Sequence, residues 1–450
     1  MSFEPLYTAD EMRAAEEGHD VEELMQRAGR AVAEHAMARF PDARRFALLC
    51  GGGANGGDAR VAGEVLRAEG REAEETDDLA RADVVLDGLF GTGFRGEPRD
   101  EAAARIAAVA ASGARVVAVD IPSGVDASTG EVRGAAVRAD LTVTFHGWKV
   151  GHEVAPGRFH CGDVVLADLG LLHVATEHKL VVPPILRLVP RRGPADSKYT
   201  AGSVLVVGGA PGLTGAACLA AEAAFRADAG YVAVAVPERS LPVVETRLLE
   251  TVKVGWPPGG ALDAVRTAAA KADALALGPG LGRDDEARLL VRTLLAETDL
   301  PAVVDADALH GLEPLDRAAP TVLTPHEGEL ARLLGEDSAT IRARRLDAVR
   351  RAADAFGATV LLKGADTLVA APGAGVLVRR NDAPGLATAG TGDVLTGVLA
   401  AFLAKGLAPD LAAAAAATAH GIAAARAPQQ DGLVAGDVVA LLPEALALNR

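Results

Sequence analysis

The sequence predicts two α/β domains, each built on a mostly parallel β-sheet. Apolar runs of strand length alternate with helical patterns of about 10 to 15 residues, and most of these runs end in polar or glycine-rich loops. The chain has 450 residues, half of them hydrophobic, which is more than one domain of ordinary size requires. In such sheets, ligands bind beyond the carboxyl ends of the strands.

The charge balance and the cysteines restrict the class of ligand. Acidic residues outnumber basic ones by 61 to 45, and no Lys/Arg block is present, which disfavours nucleic acid and anionic membranes as partners. Cys50, Cys161 and Cys218 fit neither a disulfide nor a metal-ligand spacing. The N-terminal segment lacks a signal-peptide core, and the alanine-rich segment 411–427 predicts a packed helix instead of a membrane span. We therefore expect a cytoplasmic protein that binds small molecules.

The N-terminal half alternates helices and strands. Its predicted elements are a helix at 23–40, a strand and glycine turn at 44–53, a helix at 61–70, a strand and loop at 82–93, a helix at 101–113 and a strand and loop at 114–124. Gly, Asn, Asp and Ser are concentrated in the three loops. We expect these loops to meet at one edge of the sheet.

Four prolines without a clear period around 180–200 predict a linker, which we place at 186–194. The domains are then 1–185 and 195–450. The second α/β unit begins at SVLVVGGAPG (203–212), and further strands with polar or glycine loops are predicted at 272–282, 300–309, 320–330 and 358–369. The loop chemistries of the two halves differ, so we find no internal repeat.

The glycine-rich loop of the N-terminal half is ambiguous by itself. GGGANG (51–56) matches the G-x-G-x-x-G fingerprint of dinucleotide-binding domains. That fingerprint also requires an acidic residue at the end of the next strand, and the charge-rich segment 69–78 shows no convincing strand. Asn55 and Asp58 are polar where a hydride-transfer enzyme needs only apolar packing, which indicates a further ligand.

Together with DGLFGTG (87–93) and VDIPSG (119–124), this loop resembles the NAD(P)H-hydrate epimerase family. LMQRAGRAVAEH (24–35) and TVTFHGWKVG (142–151) extend the resemblance over most of residues 1–175. It implies a Rossmann-like α/β/α sandwich that interconverts the R and S epimers of hydrated NADH and NADPH.

The resemblance also implies site residues. The hydrate would lie against Asn55, Gly56, Gly57, Asp58, Gly91, Thr92 and Gly93. Asp120 would reach the nicotinamide ring as the acid/base group. Potassium would bind Asn55, Asp87 and Ser123, and oxygen ligands of this kind suit such a cation.

Several of these residues have a plainer interpretation. Asp87 and Asp120 can cap the helices that follow them, a frequent role of aspartate at strand-to-helix turns. The histidines between 146 and 178 match no zinc spacing, so we expect them to be exposed or locally bonded. These histidines are His146, His152, His160, His173 and His178.

In the C-terminal half, ATAGTGDVLTG (387–397) predicts an anion-binding helix start. A glycine-rich turn there presents unpaired N–H groups and the positive end of the helix dipole, which together bind a phosphoryl group. Asp393 would stand beside this group and accept the proton of an attacking hydroxyl. An aspartate in the first turn of a helix is also an ordinary structural residue.

Other loops make this motif more specific. With GPGLG (278–282), DADAL (305–309) and LKGADT (362–367), GTGD resembles the ribokinase-like superfamily. Within it, the chain is similar to ADP-dependent NAD(P)H-hydrate dehydratases over nearly all of 195–440. The matching segments are SKYTAGSVLVVGG (197–209), LTGAACLAAEAAFRADAG (213–230), LTPHEGE (323–329) and PGLATAGTGDVLTG (384–397).

This second resemblance implies phosphorylation of the ring hydroxyl of the S hydrate, followed by loss of phosphate to regenerate NAD(P)H. Asp393 would be the base, and His326, Gly280 and Gly282 would contact the hydrate. ADP or ATP would bind at Lys363, Gly364, Ala365, Asp366, Thr367 and Gly392. Magnesium would neutralise its phosphates, although no Walker motif is present.

One alternative uses the same motifs. A ribokinase-like kinase of a vitamin alcohol would carry the GTGD and DADAL loops, with the N-terminal half as a non-catalytic nucleotide-binding module. A kinase accumulates a phosphorylated product, whereas a dehydratase releases inorganic phosphate. For the repair enzyme we expect small-molecule substrates and a homo-oligomer.

Overall fold

A computed structural model describes residues 1–448, and the chain forms two compact units. The smaller unit comprises Pro5–Lys179 and Arg342–Asp347. The larger unit comprises Met1–Glu4, Leu180–Ile341 and the residues from Ala348 onward. Both units combine helices with a largely parallel sheet, so the predicted α/β class is confirmed.

The strands are β1 (Phe3–Leu6), β2 (Arg45–Cys50), β3 (Glu72–Glu75), β4 (Val84–Gly88), β5 (Arg115–Val119), β6 (Leu141–Phe145), β7 (Asp163–Ala167), β8 (His178–Val181), β9 (Ser203–Val207), β10 (Tyr231–Pro237), β11 (Val252–Trp256), β12 (Ala274–Leu277), β13 (Ala302–Val304), β14 (Thr321–Leu323), β15 (Thr359–Leu362), β16 (Asp366–Ala370) and β17 (Val376–Arg380). The α-helices are α1 (Ala9–Glu16), α2 (Val21–Arg39), α3 (Ala54–Ala68), α4 (Asp100–Ser112), α5 (Val150–Glu153), α6 (Thr214–Arg226), α7 (Leu241–Arg247), α8 (Ala261–Ala269), α9 (Asp285–Glu297), α10 (Glu327–Leu334), α11 (Ser338–Ala343), α12 (Arg345–Phe356), α13 (Thr391–Ala404), α14 (Pro409–Ala425) and α15 (Ala435–Ala447). Short 3-10 helices span Gly157–His160, Pro183–Leu188, Glu238–Ser240, Ala306–Leu309 and Pro384–Leu386.

The sheet of the smaller unit has six parallel strands in the order β3-β2-β4-β5-β6-β7. Residues of α2 and α3 share one apolar core, and residues of α4 lie in another on the opposite face. This is the expected three-layer arrangement. The strand order reverses beside β2, which opens a crevice for ligands between the loops that follow β2 and β4.

One prediction about this sheet is wrong. The charge-rich segment 69–78 does contain a strand, β3, which pairs with β2 at the edge of the sheet. Its sequence is Glu-Ala-Glu-Glu and its side chains are largely exposed, so no apolar alternation marks it. Edge strands tolerate and often favour such charges. Glu75, the acidic residue at its end, is held by two contacts of 2.9 Å to Arg60.

The sheet of the larger unit has eleven strands in the order β1-β8-β17-β16-β15-β14-β13-β12-β9-β10-β11. Pairing is parallel from β15 through to β11, and antiparallel where β15, β16 and β17 meet. The order reverses at β9, which has β12 on one side and β10 on the other. The loops after β9 and β12 therefore border the switch point of this sheet.

The alanine-rich segment near the C-terminus forms α14, whose residues are mostly buried in the core of the larger unit. The prediction of a packed helix is confirmed. Within residues 1–448, no helix has the length and apolar character needed to cross a bilayer.

The predicted boundary at 185 differs from the division of the structure, which falls after Lys179. Ile185, Leu186 and Val189 are buried in the core of the larger unit, between the prolines on which the linker prediction depended. The start of the proposed linker thus belongs to a packed 3-10 turn. The first four residues also join the larger unit, through a strand too short to recognise.

Candidate active sites

The first candidate site lies at the carboxyl ends of β2, β4 and β5 in the smaller unit. Gly51, which follows β2, donates a backbone hydrogen bond of 2.9 Å to the carbonyl of Gly88 at the end of β4. Asn55, in the first turn of α3, donates a 2.6 Å hydrogen bond to the carbonyl of Val119 at the end of β5. The three predicted loops meet at one sheet edge, as expected.

Two of the predicted glycines are required by close approach. A Cβ atom at Gly56 would lie 2.0 Å from the carbonyl oxygen of Gly51, and one at Gly91 would lie 2.1 Å from Oδ1 of Asn55. Neither space admits a side chain. Gly93 has nothing nearby, and a Cβ at Gly57 would meet only the flexible end of Met25. Thr92 and Gly93 are nevertheless continuous with Gly91 in the loop after β4.

Two of the residues predicted to bind potassium, Asp87 and Ser123, are fully buried, and the third, Asn55, is half-buried. Ser123 donates from its backbone N–H to Asp87 Oδ2 at 2.8 Å and from its hydroxyl to Oδ1 at 2.6 Å. Asn55 Nδ2 lies 3.3 Å from the carbonyl of Phe90 as well as near that of Val119. Asp87 is fully buried, and this burial raises its pKa to about 6. Asp87 caps no helix, so the capping interpretation is wrong for this residue.

Asp120 is paired with a lysine that the sequence analysis did not assign to the site. Lys149 Nζ lies 2.5 Å from Asp120 Oδ1 and donates also to Thr144 Oγ1 and the Phe145 carbonyl, both at 2.9 Å. The Lys149 side chain is fully buried. His152 Nε2 lies 2.9 Å from the carbonyl oxygen of Asp120. Asp120 caps no helix, so the capping interpretation is wrong for this residue too. Lys149 lies in the segment TVTFHGWKVG, to which the sequence analysis assigned no site residue.

Asp58 lies on α3 and is only 7% exposed. The sequence resemblance assigns its backbone to the hydrate. Burial, together with the negative charges of Asp120 and Glu16, raises the pKa of its carboxyl group to about 8.

The prediction for the histidines is correct only in part. His146, His152 and His178 are buried, not exposed. His152 and His160 make local hydrogen bonds, as expected. The His146 ring packs against Tyr7 and His173, and burial lowers its pKa. Within the described part of the chain, no group of three or more His, Cys, Asp or Glu side chains is arranged to hold a metal ion.

The second candidate site lies at the start of α13 in the larger unit. Gly390 precedes the helix with a left-handed φ of 92°, so Gly392 and Asp393 fall in the first turn. The N-terminus of the helix has no side-chain cap, which leaves its backbone N–H groups available to an anion. Asp393 does not act as a cap, and burial followed by the charge of Asp305 raises its pKa to about 7.

An ion pair between the half-buried Lys363 and the buried Asp305 stands beside this helix start. Lys363 Nζ donates to Asp305 Oδ1 at 2.8 Å, and Thr396 Oγ1 donates to Asp305 Oδ2 at 2.6 Å. Burial opposes the charge of Asp305, but Lys363 and the hydrogen bonds from Lys363 and Thr396 keep its pKa below the ordinary value. A Cβ built at Gly392 would lie 3.3 Å from Lys363 Nζ, so the ammonium group adjoins the anion-binding turn. Burial also disfavours the charge of Lys363, yet Asp305 and Glu329 raise its pKa.

The loop GPGLG lies at the switch point of the sheet. Gly280 and Gly282 both have left-handed φ values, 61° and 90°. A Cβ at Gly280 would lie 2.4 Å from the carbonyl of Leu213, so this position requires glycine. Gly282 N–H donates at 3.0 Å to Asp307, from the DADAL loop, and Arg283 pairs with the same carboxylate. Two of the quoted motifs are thus linked directly.

His326 has a structural role that the sequence analysis did not consider. It caps α10, because its Nδ1 accepts hydrogen bonds from the N–H groups of Gly328 at 3.0 Å and Glu329 at 3.3 Å. Glu329 completes the capping box by accepting from His326 N–H. The ring is exposed, so a ligand can still reach it.

The predicted strand and loop of the nucleotide segment are confirmed as β15 and the turn after it, and they form a hairpin with the following strand, β16. Lys363, Gly364 and Ala365 turn between β15 and β16, which pair antiparallel. Asp366 and Thr367 begin β16, and Asp366 is fully buried. The turn itself is exposed at Gly364 and Ala365 and is the part of the segment open to a nucleotide.

Unusual backbone conformations mark both sites. Four non-glycine residues in the described part of the chain have positive φ, and three of them adjoin these strand ends: Asp120 (65°), His146 (62°) and Ala306 (50°). Such conformations persist only where the surrounding structure imposes them, and they are enriched in active sites.

Comparison with known proteins also divides the chain into an N-terminal and a C-terminal part. The NAD(P)H-hydrate dehydratase family model matches residues 204–445, and the model of the YjeF-related protein N-terminus matches 21–76 and 70–151. A bifunctional NAD(P)H-hydrate repair enzyme of Moorella thermoacetica is 38% identical, covering 94% of this chain and 92% of its own length. Its counterpart in Mycobacterium leprae is 40% identical, covering 88% and 85%.

A solved structure matches the C-terminal half. The Bacillus subtilis ADP/ATP-dependent NAD(P)H-hydrate dehydratase, co-crystallised with ATP and Mg²⁺, has a TM-score of 0.55 and 27% identity, covering 60% of this chain and 98% of its own. The larger unit therefore has the ribokinase-like fold that the sequence predicts, and the vitamin-alcohol kinase alternative is not favoured. The chain belongs to the family of bifunctional NAD(P)H-hydrate repair enzymes.

Proposed function

We propose that the two sites act in turn on hydrated NADH and NADPH. The smaller unit interconverts the R and S hydrates, and the larger unit dehydrates the S hydrate with ADP or ATP as phosphoryl donor. The observation that carries the proposal is the start of α13, where an uncapped helix N-terminus adjoins Asp393 and the Lys363–Asp305 ion pair. This arrangement supplies an anion site, a base and a cation within one small region.

In the dehydration, Asp393 accepts the proton of the ring hydroxyl while that oxygen attacks the terminal phosphorus of the nucleotide. The bond between phosphorus and the nucleotide's bridging oxygen breaks, and the N–H groups of α13 stabilise the charge on the transferred group. A pKa of about 7 suits Asp393 to proton transfer near neutral pH. Phosphate then leaves the ring carbon, a proton leaves the adjacent carbon, and the ring double bond is restored.

Lys363 supports the same step through its charge. Asp305 holds the ammonium group beside Gly392, where it attracts the phosphates of a nucleotide that approaches the hairpin turn at Gly364 and Ala365. His326, Gly280 and Gly282 then bind the hydrate. Thr396 fixes the second oxygen of Asp305 and so limits rotation of the carboxylate.

Magnesium accompanies the nucleotide. Its ligands would come chiefly from the nucleotide's phosphates, as is common for Mg²⁺. The ion would neutralise phosphate charge that the single ammonium group of Lys363 leaves uncompensated.

In the smaller unit, the hydrate lies along the first turn of α3 at Asn55 and the loop at Gly91, with its ring at Asp120. Asp120 accepts hydrogen bonds from Lys149 and Thr144, which is the bonding of a carboxylate and suits it to act as a base. The first turn of α3 supplies the backbone N–H groups of Asn55 and Gly56 for the phosphates, whereas the N–H group of Gly57 already donates to the carbonyl of Gly53.

Potassium fits the smaller unit in the kind of donor present. The Asp87 carboxylate is bonded to the Ser123 hydroxyl, and the Phe90 carbonyl lies 3.5 Å from that hydroxyl and 3.3 Å from Asn55 Nδ2, so oxygen donors without sulfur or imidazole link the three residues. Burial raises the pKa of Asp87 to about 6, a cost that a bound cation offsets. The ion would organise the loops that hold the hydrate. The homo-oligomer and the cytoplasmic location remain predictions.

The proposal is tested by supplying the chain with purified S hydrate of NADH, ADP and Mg²⁺ and measuring two products. We expect reduced nicotinamide and inorganic phosphate to appear in equal amounts, with AMP as the spent nucleotide. Accumulation of a stable phosphorylated hydrate without phosphate release would instead indicate a kinase. Replacing potassium by tetramethylammonium in a separate assay of the R hydrate tests the cation, because only epimerisation should slow.

A further inference from the structure

Asp58 faces the same part of the smaller unit as the residues already assigned to the hydrate. It lies three residues after Asn55 on α3, and side chains three apart share one face of a helix. Asn55 reaches the carbonyl of Val119, the residue immediately before Asp120. The charge of Asp120 acts strongly enough on Asp58 to be its largest electrostatic influence, followed by that of Glu16.

The carboxyl group of Asp58 has no structural task that explains its burial. It caps no helix, and no hydrogen bond joins it to any other residue between 1 and 448. A nearly buried carboxyl group normally has hydrogen-bond partners, since its burial is otherwise unfavourable. Asp87 and Asp120, the other buried carboxylates of this site, each accept at least two.

We propose that Asp58 is the general acid of the epimerisation, with Asp120 as the base. This inference rests on the epimerase activity proposed above for the smaller unit. The two carboxyl groups occupy contrasting surroundings: Asp120 is bound to the ammonium group of Lys149, whereas Asp58 has only carboxylates for charged neighbours. Two carboxyl groups in such different surroundings can divide the acid and base roles between them.

The chemistry of the hydrate requires such a pair. Its hydroxyl group is carried by the ring carbon next to the ring nitrogen. Asp58 donates its proton to that hydroxyl, the carbon–oxygen bond breaks, water leaves, and the nitrogen lone pair forms a C=N⁺ bond. Water then adds to the opposite face of the flat carbon while Asp120 takes one of its protons. One proton leaves Asp58 and one reaches Asp120. Transfer of a proton from Asp120 back to Asp58 then restores the starting state of the site.

The ionisation of Asp58 supports this assignment. Burial, followed by the charges of Asp120 and Glu16, raises its pKa to about 8, so the group holds its proton at neutral pH. Lys149, whose charge also acts on Glu16, is bound to Asp120. An acid must be protonated to act, so the epimerisation rate should fall as the pH rises above about 8.

The test uses the full chain with Asp58→Asn, which keeps the shape of the side chain but cannot donate a carboxylic proton. We expect epimerisation of the R hydrate to slow by about 100-fold to 10,000-fold, with the alkaline decline of the rate abolished. Hydrate affinity and the dehydratase rate should stay within about threefold of the parent. Glu64→Gln removes one charge from the exposed side of the same helix and should leave the rate unchanged.

Three results would overturn the assignment. A rate in Asp58→Asn within a few-fold of the parent, or a parent rate that stays level to pH 9, would remove the carboxyl group from the reaction. A loss of rate matched by an equal loss of hydrate affinity would show a binding role only. A parent chain that does not interconvert the epimers at all would instead contradict the proposed function, so the two failures are distinguishable.

Discussion

At the scale of single residues, Asp393 is the residue on which the dehydration depends. Asp393→Asn keeps the size of the side chain but removes the proton acceptor, so the dehydration rate should fall by about two to four orders of magnitude. Because the pKa of Asp393 is raised to about 7, the parent rate should also decline as the pH falls below 7, where the base becomes protonated. Stopped-time assays of NADH formation across pH measure both effects.

The epimerase half provides the control for this variant. Epimerisation should be unchanged in Asp393→Asn, because that residue lies in the larger unit. A variant that dehydrates within a few-fold of the parent rate, with the same pH profile, would exclude Asp393 as the base.

For Lys149 we expect a large contribution to the stability of the smaller unit. Lys149→Met leaves the Asp120 carboxylate buried without its cation, which should destabilise the smaller unit by about 3 to 5 kcal/mol. The double variant Asp120→Asn with Lys149→Met removes both charges and should recover part of that loss without recovering epimerisation. Urea unfolding followed by fluorescence measures the difference, and equal stabilities for the single and double variants would contradict the buried-pair account.

The residues that sequence analysis found and those that it missed differ in a physical way. Asn55 and Asp393 stand in glycine-rich turns after apolar strands, a context that is visible in a linear sequence. Lys149 acts on a carboxylate 29 residues away, and Asp305 on a lysine 58 residues away. Such pairings depend on which strands lie next to each other in the sheet, and local sequence patterns do not predict the order of the strands.

At the scale of elements, the start of α13 depends on its glycine turn. Gly390 has a φ of 92°, and a Cβ there would lie 2.8 Å from Leu219. Gly390→Ala should therefore cost about 1 to 2 kcal/mol from the backbone alone, and it should weaken nucleotide binding by shifting the N–H groups of the helix. Denaturant unfolding and nucleotide titration measure the two effects.

Gly436 is the matched control for this substitution. It lies in α15 with no atom near the position of an added Cβ and without a positive φ. Gly436→Ala should be neutral or stabilise the chain by up to about 1 kcal/mol, since alanine favours the helix. Similar costs at both positions would contradict a special role for the turn before α13.

Element prediction located many strands with strong apolar patterning, and it missed the short and charged strands near the edges of the sheets as well as two buried interior strands. The runs that became β2, β4, β5, β9 and β12 are buried almost throughout, and the sequence located all of them. The acidic strand β3 and the four-residue strands β1 and β8 were not recognised, and neither were the buried strands β6 and β10. An edge strand needs little apolar surface, so its sequence carries little of the signal on which the method depends.

At the scale of the whole molecule, the boundary between the halves can be tested with two fragments. Residues 195–450 lack Ile185, Leu186 and Val189, which are buried in the larger core, whereas residues 178–450 retain them. Each buried aliphatic side chain contributes about 1.5 to 3 kcal/mol, so the shorter fragment should unfold at a clearly lower denaturant concentration. Equal stabilities of the two fragments would support the linker predicted at 186–194.

The central claim is that one chain recovers both epimers of a damaged cofactor, each half by its own site. The most direct measurement mixes equal amounts of R and S hydrates of NADH with ADP, Mg²⁺ and potassium, and follows the absorbance of reduced nicotinamide. The parent chain should restore the full absorbance rapidly. Asp120→Asn should rapidly restore only the half that comes from the S hydrate and then stop, and Asp393→Asn should restore almost none. Rapid recovery of both epimers by Asp120→Asn would contradict the division of labour between the two sites.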